Sequence, residues 1–141
     1  MSLYTRFSYD KDLADNGNWI PFGEGVEFKM RRLNSPLVQE KRRQLEQPYE
    51  ALLRTGGSLG EDILRGILVN MMAESVILGW KGVTDSSNVP MEFSIANAKT
   101  LLTDLPDLVR VLVDLASDRD LFKAAVDGEA AKNSGKASEA V

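Results

Sequence analysis

The segment Ile63–Ile77 constrains this chain most. Ile63, Leu64, Ile67, Leu68, Met71, Met72, Val76 and Ile77 recur at helical spacing. They spread over an arc too broad for one neighbour to cover, which marks a central helix touching several elements. Ser58-Leu59-Gly60-Glu61 before it has the form of a capping box, with Ser58 as cap and Glu61 reaching back. Gly66 within the run costs ~1 kcal/mol relative to alanine unless close packing needs it. The reading is a helix that runs to Gly79.

The junction that follows, Leu78–Ser94, organises the rest. Gly79 stops the helix, and Trp80 plugs its end. Asp85-Ser86-Ser87-Asn88 makes a turn, and Val89, Met91 and Phe93 alternate with Pro90 and Glu92. Ser94 caps a helix with Ile95, Ala98, Leu101, Leu102 and Leu105 on its apolar side. Pro106 begins another, carrying Leu108, Val109, Val111, Leu112 and Leu115. Ser117 and Asp120 form a cap-like pair before Leu121, Phe122 and Ala125.

Upstream, residues 1–33 read as a β-like element. Leu3, Thr5 and Phe7 fall on one side of an extended chain, and Asp15-Asn16-Gly17-Asn18 is a turn cluster. A hairpin is expected with strands at Trp19–Phe22 and Val26–Leu33, joined through Gly23-Glu24-Gly25. Pro21 places the first strand at an edge. Ser35 and Pro36 open the next helix, and Pro48 breaks it near Glu46–Gln47. The fold class expected is mainly α, of the α+β kind: an N-terminal β-hairpin followed by a bundle of about four to five helices. One globular domain is expected over 1–126, helical from 34, with a disordered polar tail over 127–141.

Composition enters as exclusion. The chain has neither Cys nor His, which removes disulfides, thiolate metal sites and the commonest general base and metal ligand. With no convergent polar cluster either, an enzyme is not expected, and no cofactor or metal site is read. Two carboxylate pairs, Glu61/Asp62 and Asp118/Asp120, lie in first helical turns, where they offset the helix dipole. Gly56-Gly57-Ser58-Leu59-Gly60 lacks the Lys-Ser/Thr ending of a P-loop. No apolar run approaches the ~20 residues of a membrane span, and no signal-peptide pattern opens the chain. A reducing cytoplasm is the expected compartment.

Residues 29–54 carry seven cations against three carboxylates, a net +4, which leaves −8 for the remainder of a chain whose total is −4. Lys41, Arg42 and Arg43 form its densest run. They read as a solvated helix face, or as contacts to an acidic protein partner or another copy of the chain. Nucleic acid is not the expected partner, since no aromatic residues interleave with the run. Ile63, Ile67, Met71, Met72, Trp80, Leu108 and Leu112 have two readings: core filling, or an apolar protein-binding surface.

The order of features carries a resemblance. An apolar helix ends in Gly79-Trp80, Lys81-Gly82-Val83 leads to a polar turn, "VPMEFS" starts a helix, and "LLTDLPDLVRVLVDLA" follows. Over approximately residues 15–120, and most clearly from Ala73 to Ser117, the chain resembles the tail assembly chaperones of long-tailed bacteriophages and prophages. The resemblance implies a host-cytoplasmic assembly factor, absent from the mature virion and without a cofactor. Its implied partners are the tape measure protein, other copies of itself, and the tail tube protein through a frameshifted longer form. The competing readings are a head–tail or tail-completion component of the virion and a small nucleic-acid-binding regulator.

Overall fold

A computed structural model describes residues 2–123. The fold is α+β, as expected, and its sheet has three strands in the order β1-β2-β3. Strands β1 (Asn18–Gly23) and β2 (Val26–Met30) form the expected hairpin, with Trp19 opposite Lys29 and Ile20 opposite Phe28. Pro21 lies on β1, an edge strand, and the register with β2 shifts just after it, between Pro21 and Gly23.

The third strand corrects the central-helix reading. Helix α5 covers only Glu61–Met71, and Gly60 holds its cap position, so Ser58 is not its cap. A π-helical turn, Met72–Val76, follows it, and Ile77–Lys81 is β3. β3 runs antiparallel to β2, with Phe28 opposite Trp80 and Lys29 opposite Gly79. The apolar run therefore changes period at Val76-Ile77, where β-branched side chains suit the sheet. Arg31 holds this changeover. Its backbone N–H donates to Val76 O at 2.8 Å, and its Nη1 donates to Ser75 O at 2.8 Å.

The N-terminus is also corrected. Residues Leu3–Phe7 are a one-turn helix, α1, capped by Ser2, and Lys11–Asn16 form α2, capped by Asp10. The Asp10 carboxylate accepts from the N–H groups of Asp12 and Leu13, which favours helix over strand locally.

Among the described residues, five α-helices follow the hairpin: α3 (Pro36–Glu46), α4 (Glu50–Arg54), α5, α6 (Ile95–Asp104) and α7 (Pro106–Ser117). Pro48 acts as expected: a 3₁₀ turn, Gln47–Tyr49, divides α3 from α4. Ser35 holds the cap position of α3 but makes no side-chain capping bond. Ser94 caps α6 as expected, accepting from Asn97 N–H at 3.0 Å. The cap of the last turn, Arg119–Phe122, is Asp118 rather than Ser117, whose hydroxyl donates to Val113 O.

One core joins the sheet (Ile20, Phe28, Met30, Ile77, Trp80), the π-turn (Met72, Val76), α6 (Ala98, Leu102) and α7 (Leu112, Ala116). Phe122 closes it, and the chain around it is tied back by Asp10 N–H to Phe122 O at 2.8 Å. The tail expected over 127–141 lies outside the described residues. No helix among the described residues is long and apolar enough to cross a membrane.

Candidate functional site

The residues singled out from sequence separate into two sets. Met71, Met72, Trp80 and Leu112 are buried in the core, so the monomer presents almost none of their surface. Ile63, Ile67 and Leu108 are half-buried. Trp80 is not a helix-end plug but a strand residue. Its indole N–H donates to Met91 O at 2.7 Å, and its ring meets those of Phe28 and Phe93 edge to face.

The accessible apolar surface lies one helical position away. Helix α6 packs against both α5 and α7 and leaves a groove between them of about 360 Å³. Leu64, Leu68 and Val69 line it from α5, and Val109 and Val113 from α7. Glu61, Arg65, Arg110 and Asp114 stand along it with both signs of charge. Leu64 is 51% exposed, a high value for a leucine on a helix that feeds the core. The sequence signal for this face was the width of the α5 arc, wider than the core consumes.

The basic run is neutralised locally. Lys41 Nζ lies 3.2 Å from Glu74, Arg42 pairs with Glu46, and Arg43 pairs with Glu40. Glu74 also takes Lys99 at 2.6 Å, so one carboxylate on the π-turn binds α3 and α6 together. Lys41 thus interrupts the apolar face of α3 because it reaches this carboxylate.

The hydrogen bond from Lys99, reinforced by Lys41, outweighs partial burial and holds the Glu74 carboxyl below its ordinary value. A depressed folded-state pKa stabilises above the unfolded value, about 4.3, and that contribution is lost as pH falls through the folded value. Glu74→Gln is expected to cost about 1 kcal/mol at pH 7. Urea unfolding of both proteins should show the difference shrinking as the pH is taken below 4.

Among the described residues no group of His, Cys, Asp or Glu is arranged to hold a metal. Residues 33–133, more than half of the chain, match the model of the family described as YdaY prophage protein. The chain belongs to that family. The match begins just after β2 and takes in α3 through α7, including β3 and every residue of the α5/α7 groove. No curated protein and no solved structure matches this prophage protein.

Proposed function

We propose that this prophage protein is a tail assembly chaperone that holds a helical segment of the tape measure protein in the α5/α7 groove. The observation that carries the reading is the groove itself: an apolar floor on two helices, open to solvent, with charges of both signs along it. Such a surface receives the apolar stripe of an amphipathic helix, anchored at i, i+3, i+4 and i+7. A long helical client bearing such stripes aggregates unless they are covered. Prophage origin and the likeness of Ala73–Ser117 to tail assembly chaperones support the same reading. The chaperone acts in the host cytoplasm before tube subunits polymerise, and a frameshifted longer form recruits the tail tube protein.

Co-expression with the tape measure protein of the same prophage tests this. The client should be soluble only with the chaperone, and the complex should survive gel filtration. Leu64→Glu puts a charge on the groove floor and should weaken capture at least tenfold, since a buried unpaired carboxylate costs several kcal/mol. Because Leu64 is half exposed, the variant's melting temperature should stay close to that of the parent. Unchanged client solubility with the parent chain overturns the proposal. Recovery of the chain from purified virions would replace it with a structural role.

A further inference from the structure

Helices α5 and α7, the two walls of the groove, each carry one arginine and two carboxylates and no other charge. Glu61, Asp62 and Arg65 stand on α5, and Asp107, Arg110 and Asp114 on α7. Four carboxylates against two guanidinium groups leave a net −2, however they pair. On α6, which packs against both walls, Lys99 and Asp104 cancel. The basic segment, residues 29–54, contributes nothing to the lining. The groove is therefore an apolar floor inside an anionic rim.

Glu61 and Asp114 carry that excess. Arg65 Nη1 lies 3.4 Å from Asp62 and Arg110 Nη2 lies 3.0 Å from Asp107, each the carboxylate three positions earlier. Asp62 and Asp107 are almost fully exposed and do not line the groove. Glu61 and Asp114 do line it, and neither has an ion-pair partner among the described residues. Glu61 suits its own helix, since a carboxylate in the first turn offsets the dipole. Asp114 is opposed by its helix: it stands in the last turn of α7, beside the negative end, with no basic residue in that turn. Arg110 lies one turn earlier, but cation before anion is the weaker order for an i, i+4 pair. Among the described residues nothing compensates Asp114, whereas a cation brought by a bound helix would.

We infer that the groove selects helices whose apolar stripe is bordered by lysine or arginine, and that Glu61 and Asp114 set this preference. The inference rests on the reading of the groove as a helix site and adds the charge of its occupant. A lysine beside the stripe lays its methylene stem along the apolar floor and carries its ammonium group out to the rim. A glutamate in the same place meets two carboxylates that have no cation to spare, and like charges across an interface reject a partner.

Two fluorescein-labelled peptides of roughly 18 residues, about five helical turns, test this by anisotropy against the full chain. Both carry leucine at i, i+3, i+4 and i+7; one borders the stripe with lysine and the other with glutamate. The lysine peptide should bind about tenfold more tightly in ~50 mM salt, and the gap should close in ~500 mM salt. Glu61→Gln with Asp114→Gln should bring the two peptides to within about threefold of each other without altering the melting curve. The same loss of charge on the hairpin, Glu24→Gln with Glu27→Gln, should leave the preference as it is. Equal binding of both peptides by the parent, or an equal loss of preference in the hairpin variant, overturns the inference and leaves the groove as a helix site. Binding of neither peptide removes the groove reading and the inference with it. Self-association of the parent that Glu61→Gln with Asp114→Gln abolishes would give the groove to another copy of the chain and overturn the inference.

Discussion

Trp80→Ala is expected to lower the unfolding free energy by about 4 kcal/mol, a large part of what holds a domain of this size together. The indole is only 8% exposed. It lies at 6.2 Å from the Phe28 ring and 5.1 Å from the Phe93 ring, centroid to centroid, both close to perpendicular. Those pairs join β2, β3 and the segment leading into α6, so one side chain spans three parts of the chain. Trp80→Phe should separate the two contributions. It keeps much of the apolar volume but leaves Met91 O without the indole donor, and it should cost about 2 kcal/mol. Urea unfolding followed by circular dichroism measures both. A loss below about 1 kcal/mol for the alanine variant would mean that Trp80 is not a core residue, and would return it to the list of client contacts.

The same tryptophan shows what could be read in the sequence and what could not. A Trp beside a glycine after a long apolar run is visible as a junction, and the turn, the alternating segment and the Ser94 cap after it are present. The strand was not legible. Residues 63–78 satisfy a helical period almost throughout, and the switch at Val76-Ile77 is decided by pairing with β2, some fifty residues earlier. The reward for that pairing is non-local, so a local period cannot report it.

Leu3, Thr5 and Phe7 failed for the opposite reason. Five residues fit either period, and the Ser2 hydroxyl, accepting from Thr5 N–H at 3.1 Å, tips them to a helical turn. In α2, an aspartate cap and a terminal glycine were present at Asp10 and Gly17, but the turn-forming character of Asp15-Asn16 masked them.

The candidate site was half legible. The broad arc of α5 implied more than one neighbour, and the structure gives it two duties: Met71 into the core, and Leu64 and Leu68 toward the groove. Which residue faces which way depends on helix rotation set by α3 and α6. Advancing one position turns the side chain by ~100°, the difference between Ile63 and Leu64 or between Leu112 and Val113. The ion pairs of the Lys41–Arg43 run were legible only in part. Two of its three partners, Glu40 and Glu46, lie within four residues on the same helix, but Glu74 lies on another element and only the fold brings it near.

Gly82→Ala is expected to destabilise the protein by about 3 kcal/mol, through left-handed strain and a backbone collision together. Gly82 has φ +76°, a region that costs an alanine roughly 1 kcal/mol. An added Cβ would also overlap Gly25 O and lie 2.9 Å from Gly25 C, within the connection between β1 and β2. Backbone cannot rotate aside as a side chain can, so β3 and the hairpin must part at this end. Gly66→Ala provides the opposite case within the same chain. It lies in the middle of α5 with nothing within 4 Å of the added carbon, so the change should raise stability by about 0.5–1 kcal/mol. Denaturant midpoints of the two variants should therefore move in opposite directions. If Gly82→Ala matched the parent, Gly82 could not be packed against the β1–β2 connection.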